Sequence, residues 1–324
     1  MCSPSRIGVR SFCALCVLLA GVSWSGSTAH ADILYLGDTY ADVSTVLVFD
    51  TEGGAAMPTT LVSSQPGYMR DISVDSVNGR IYWSCDTTIP SGGYIRSADL
   101  SGANVQTINL PQDHYAMEVD GVGGNLYYGG FFDDGSGLKR SLVRMGLDGS
   151  SPTSVGTTPS SSVYGIDVDP SAGKVYWNFD AGGAGDNAGI HQSDLNGANT
   201  VDIITGQPYI QDVDVDAARG LVYWITIYSI WRAPIDGSSP PEEILSGMRP
   251  VTMALSPDGN TVYFGNGNYT SSVYKMDADG SNLTYVTYVY KPVAIDVVPE
   301  PATLTMAAIG ALALLKRRRP MARA

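Results

Sequence analysis

The sequence predicts an all-β chain folded as a six-bladed β-propeller of four-stranded blades, its ring closed by the C-terminal strand pairing into the first blade. Three observations carry this prediction. A phrase returns about every forty-five residues, the length of a propeller blade. Each copy divides into period-two strands separated by turn residues. The two ends of the repeat region also hold complementary pieces of one blade.

The phrase reads DISVDSVNGRIYW at residues 71–83 and GIDVDPSAGKVYW at residues 165–177. Anchored on its tyrosine, it stands at Tyr35, Tyr82, Tyr127, Tyr176, Tyr223 and Tyr263. In the copy around Tyr176, residues 165–169 alternate apolar and polar as a strand does. Residues 170–173 bring Pro and Gly for a turn, and 174–179 form a second strand. A third strand is expected at 190–195, a hairpin at Asn196-Gly197 and a fourth strand at 200–204. The same grammar places first turns at 76–79, 121–125, 217–220 and 257–260. It places hairpins at Gly102, Gly149, Gly237 and Gly280. The first copy begins at Ile33 with its second strand, while residues 293–298 are a first strand with no blade behind it. The C-terminal strand therefore supplies what the N-terminal blade lacks, and closure removes exposed sheet edges.

The ends read differently. Arg6 and Arg10 precede a short apolar run at 12–22, and Ala29 and Ala31 flank His30 in the small-x-small pattern of a signal-peptidase site. Residues 1–31 are read as a signal peptide, 32–298 as the propeller and 299–324 as a sorting tail. The tail orders Val298, Pro299, Glu300 and Pro301, then the mostly apolar stretch 302–315, then Lys316, Arg317, Arg318 and Arg319. As a helix that stretch would span only ~21 Å of a ~30 Å hydrocarbon core. The basic cluster would keep the extreme C-terminus cytoplasmic.

This order closely resembles the PEP-CTERM sorting signal of Gram-negative bacteria that export extracellular polysaccharide. The resemblance implies export across the inner membrane, transient anchoring by the tail, and processing by a transpeptidase-like exosortase. The cell surface or extracellular matrix would then be the destination. A simple tail anchor is the alternative. The pairs Tyr82-Trp83, Tyr176-Trp177 and Tyr223-Trp224, each behind an apolar-Asp strand, resemble the YWTD repeats of the low-density-lipoprotein receptor propeller. The Thr-Asp that follows in that family is replaced here by Ser84-Cys85, Asn178-Phe179 and Ile225-Thr226. The resemblance therefore implies the six-bladed fold rather than a ligand mode, and the aromatics are expected to pack between blades.

Charge narrows the partners. All thirty-two acidic residues lie between Asp32 and Glu300, whereas seven of the nineteen basic ones fall in the two ends. The propeller is thus more acidic than the whole chain's −13, which excludes nucleic acid and anionic membrane as bulk electrostatic partners. Only Cys85 lies in the propeller, so no internal disulfide is possible there.

Nine residues before each anchor tyrosine stand Ser73, Glu118, Asp167, Asp214 and Ala254, with Asp296 from the closing strand. On innermost strands, Glu118, Asp167, Asp214 and Asp296 would face one another across the channel as metal or ligand candidates. Converging oxygens suit Ca²⁺. The alternative is that they are solvated rim charges. Asp75, Asp120, Asp169 and Asp216 stand at strand-to-turn junctions and are expected to cap the turns. Residues 277–282 look like a calcium loop, but Tyr288 replaces its final Glu, so a hairpin is expected. Gly183 and Gly185 open no helix and make no dinucleotide fingerprint. His114 and His191 lie in different blades without repeated partners, and no Gly-x-Ser-x-Gly elbow occurs.

The expected function is an exported, non-enzymatic propeller binding a protein or polysaccharide of the matrix. Tyr285, Tyr288 and Tyr290 are candidates for stacking on sugars. The alternative is a metal-dependent lactonase or esterase similar to the gluconolactonase propellers, and a third reading is a passive scaffold.

Overall fold

The computed structural model describes residues 32–54, 56–87, 92–133, 135–157, 162–180, 188–267 and 272–299. Ala29, Ala31, Gly183, Gly185, Glu300, Pro301 and Lys316 to Arg319 lie outside the described residues.

The described residues form strands in six sheets of four. The first blade holds β1 (Asp32–Tyr40), β2 (Val43–Asp50) and β3 (Thr59–Pro66). The second comprises β4 (Tyr68–Asp75), β5 (Arg80–Thr87), β6 (Gly92–Asp99) and β7 (Gln106–Leu110). The third comprises β8 (His114–Asp120), β9 (Asn125–Asp133), β10 (Leu138–Gly146) and β11 (Thr153–Thr157). The fourth comprises β12 (Ile166–Asp169), β13 (Lys174–Asp180), β14 (Ala188–Asp194) and β15 (Val201–Gln207). The fifth comprises β16 (Asp212–Asp216), β17 (Leu221–Ile225), β18 (Ser229–Pro234) and β19 (Glu242–Ser246). The sixth comprises β20 (Pro250–Leu255), β21 (Thr261–Asn266), β22 (Ser272–Asp277) and β23 (Thr284–Tyr288). The last strand, β24 (Pro292–Pro299), returns to the first blade.

Closure follows the expected pairing. β24 runs antiparallel to β1, with Pro299 opposite Asp32, Val298 opposite Ile33 and Asp296 opposite Tyr35. The innermost strands β4, β8, β12, β16, β20 and β24 touch in succession, and β24 touches β4 again.

The core lies between blades, and the Tyr-Trp dipeptide shows why. Successive side chains on a strand point to opposite faces. The anchor tyrosine therefore packs on the following blade and the next residue on the preceding one. Tyr176 sits with Val213, Val222 and Trp224 of the fifth blade. Trp177, fully buried, sits with Ala116, Tyr127 and Leu142 of the third. The sixth such cluster joins Leu34, Ile295 and Val297 to Ala254, Tyr263 and Val273, and so seals the ring. Tyr127 Oη donates to the Leu195 carbonyl at 3.0 Å and Tyr263 Oη to Asp32 Oδ2 at 2.8 Å, each across a blade boundary.

The turn aspartates cap as expected. Asn78, Gly123 and Arg219 N–H groups donate to Asp75, Asp120 and Asp216, and Asp169 accepts from Ser171 and Ala172. In the fourth blade's hairpin, Gly197 has φ +86°, and a Cβ there would collide with the Val155 carbonyl of the third blade. A side chain there would face both a conformational penalty and a collision.

Candidate functional site

The innermost strands all run the same way along the channel. One edge of each pairs with its blade's second strand, which leaves N–H groups on the other edge without a sheet partner. The acid column meets this need. Val74 N–H of the second blade donates to Asp296 Oδ2 of the first at 2.6 Å. Val215 N–H donates to Asp167 Oδ2 and Leu255 N–H to Asp214 Oδ2, both at 2.7 Å. Where the column has Ser73, its hydroxyl accepts from Val119 N–H and donates to Glu118 Oε1. A second tier two residues earlier repeats the pattern: Met117 N–H donates to Asp71 and Met253 N–H to Asp212. The other oxygen of Asp71, Asp167, Asp212, Asp214 and Asp296 accepts from the next residue's own N–H.

Glu118, Asp167, Asp214 and Asp296 thus share the channel as expected, with Asp71 and Asp212 added. They are half-buried and line a space of about 120 Å³. Desolvation first, and then mutual repulsion, pushes Glu118, Asp167 and Asp212 well above the usual carboxylate range. Desolvation also raises Asp214, and it raises Asp71 and Asp296 to about 7. The neighbouring Asp214 carboxylate adds to the upward push on Asp167. Among the described residues no three His, Cys, Asp or Glu side chains gather as a cation would require. The acids join neighbouring blades through their carboxyl oxygens.

Above this throat the channel opens into a cavity of about 560 Å³ at the N-terminal ends of the innermost strands. Each blade contributes one residue to its lip in turn: Lys291, Tyr68, Tyr115, Tyr164, Tyr209 and Arg249. Arg70 stands just inside. The tyrosines form an arc, with Tyr115 and Tyr164 ring centroids 5.1 Å apart and Tyr164 and Tyr209 5.2 Å apart. Cations continue it. Arg70 lies 5.0 Å over Tyr68 and 5.4 Å over Tyr115, and Lys291 lies 4.6 Å over Tyr68. Arg70 is held by Asp86 through a 2.5 Å ion pair.

A repeated β-bulge aims these side chains. The register skips one residue between Met69 and Asp71, between His114 and Ala116, and between Pro250 and Thr252. A fourth skip falls between Pro292 and Ala294. The skipped residues, Arg70, Tyr115, Val251 and Val293, all line the cavity. A bulge turns an extra side chain out of the ladder, which is how such irregularities re-aim residues beside sites. In the fourth blade Asn178 Oδ1 accepts from the N–H groups of Tyr164 and Gly165 and holds Tyr164 in the equivalent place.

The sequence reading missed this lip. The signal was available three residues before the acid column at Tyr115 and Tyr164, and five before it at Tyr68, Tyr209, Arg249 and Lys291. The other singled-out residues lie elsewhere. His114 is fully buried with its pKa pushed down to about 3 by desolvation. His191 stacks on Phe179 at 4.1 Å and meets Asp202 at 2.6 Å. Cys85 is buried and its thiol is pushed up to about 11 by desolvation. Residues 277–282 form a hairpin in which Ser281 N–H donates to Asp279. Tyr285 and Tyr288 lie on the outermost strand β23, and Tyr290 packs edge-on against Tyr40.

Residues 297–319 match the PEP-CTERM protein-sorting motif. No curated protein matches the chain. Solved structures similar in fold include a chain of a nidogen/laminin complex, with TM-score 0.68 and 16% identity over 82% of this chain and 98% of that one. A putative TolB from Agrobacterium tumefaciens follows at TM-score 0.58 and 14% identity, over 83% of this chain and 99% of that one. A Lactobacillus plantarum protein gives 0.56 and 10% over the same shares. The chain is therefore a closed six-bladed propeller, a fold it shares with the matched chain of the nidogen/laminin complex, and its closing strand overlaps a PEP-CTERM protein-sorting motif.

Proposed function

We propose that this is an exported, non-enzymatic propeller that binds a polysaccharide or protein of the surroundings into which it is sorted, at the mouth of its channel. The observation that carries this reading is the lip of tyrosines and cations to which all six blades contribute. Concave sites with aromatic walls and a few placed polar groups are where ligands bind.

The tail supports the same orientation. β24 starts at the mouth with Pro292 and descends roughly 23 Å to Pro299. The sorting motif overlaps its last residues, at the opposite end of the channel. The mouth therefore lies at the end of the propeller away from the sorting motif.

The test compares the exported protein with a Tyr164→Ala/Arg249→Ala variant for retention on matrix from the native host. Retention lost in a stably folded variant supports the reading, and equal retention defeats it. Lactone and ester hydrolysis is assayed alongside with Ca²⁺, Mg²⁺, Mn²⁺ and Zn²⁺. Metal-dependent turnover that disappears in Asp167→Asn with Asp214→Asn would replace binding by hydrolysis.

A further inference from the structure

The two sides of the mouth differ in chemistry. Tyr115, Tyr164 and Tyr209, from the third to fifth blades, form a tilted aromatic wall. Arg249, Lys291 and Arg70, from the sixth, first and second blades, face it from the other side. In a chain of net charge −13, three cations around one cavity run against the bulk composition. Arg70 is partly neutralised by Asp86, and Asp113 lies nearby around the adjoining hollow. Among the described residues, no acidic side chain pairs with Arg249 or Lys291, and both are exposed. The carboxyls beneath them, Asp71 and Asp212, are engaged by the Met117 and Met253 N–H groups rather than by either cation. Gln211 and Thr252 add neutral hydrogen-bonding groups to the floor.

Resting on the proposal that the mouth is the binding site, we infer that it recognises an acidic saccharide, a sugar ring bearing a carboxylate. The ring lies on the tyrosine wall and the carboxylate faces Arg249 and Lys291. Sugar rings present C–H faces that pack on aromatic surfaces, and their hydroxyls suit the mixed donors and acceptors below. A guanidinium or ammonium supplies the charge-assisted bond for the carboxylate. An acidic peptide satisfies the cations equally but has no comparable use for the three-ring wall.

The experiment titrates the exported protein with a tri-hexuronate oligosaccharide, its uncharged methyl ester and a short poly-glutamate, each at low and high salt. The tri-hexuronate is expected to bind at least about tenfold tighter than its ester, since a single charge-assisted hydrogen bond is worth about that factor. High salt should weaken it. Arg249→Ala and Lys291→Ala should each reduce its affinity about five- to tenfold without changing the melting temperature, as both side chains are exposed. Tyr164→Ala should weaken both sugars alike. Equal binding of acid and ester, or no binding of the tri-hexuronate, overturns the inference. Tighter binding of poly-glutamate overturns it in favour of a peptide. If the tri-hexuronate fails while matrix retention remains sensitive to Tyr164 and Arg249, only the acidic-sugar inference falls. Loss of both defeats the binding site itself.

Discussion

Replacing Asp296 tests whether the channel acids hold the ring together. Its two oxygens accept from Val74 of the second blade and from Val297, each at 2.6 Å. Asp296→Ala removes both acceptors and leaves the Val74 N–H unsatisfied between blades. An orphaned buried donor costs about 1–3 kcal/mol. For a domain of this size that is a fall of roughly 2–12 °C in melting temperature. Asp296→Asn keeps one acceptor and should lose less. The pH dependence distinguishes this role from a solvated charge. Asp296 is raised to about 7 by desolvation, so the folded protein holds a proton there that the unfolded chain releases near pH 4. Its stabilising contribution is full below about pH 4 and is lost as pH rises through about 7. His114 and His191, both depressed by desolvation, pull the other way, so the readout is the difference between wild type and Asp296→Asn. That difference in melting temperature, followed by circular dichroism, should shrink from about pH 5 to about pH 8. A flat or growing difference, or an Asp296→Ala protein as stable as wild type, would refute the staple.

Three further outcomes are expected. Trp177→Ala, which empties the contact between the third and fourth blades, should cost about 3–5 kcal/mol in denaturant unfolding. Deleting residues 292–299 removes the innermost strand of the first blade and half of the sixth interblade cluster. The melting temperature should fall sharply, and an unchanged value would mean the ring is not closed by β24. Calcium is expected to leave melting unchanged, because the carboxyl oxygens already accept from backbone N–H groups of neighbouring blades. A rise in melting temperature abolished by Asp167→Asn with Asp214→Asn would show instead that they gather a cation.

Much of the fold was legible because a propeller repeats its local code. Strand alternation, the Asp at each turn and the Gly of each hairpin act over a few residues, and six copies make the pattern plain. Closure was legible for the same reason, since Ile33 and Val293 begin incomplete copies. The acid column was visible, but its role was not. The N–H groups it satisfies belong to the next blade, about forty-five residues away, and no spacing within one copy points to them. The lip was hidden by the bulge. Strict alternation puts Arg70 and Tyr115 on the face opposite Ser73 and Glu118, and one unpaired residue brings them into the same channel. Val251 and Val293 occupy the equivalent places with small apolar side chains, so the column does not read as a site in every copy.

Hydrogen–deuterium exchange of the exported protein, with and without polysaccharide from the native host, addresses the central claim without naming the ligand. Protection is expected at the strand entries around residues 68–71, 113–116, 209–212, 249–252 and 291–293, which meet at the mouth. Protection confined to outer strands such as β7 or β23, or to the opposite channel end at residues 167–170, 214–218 and 255–259, would contradict it.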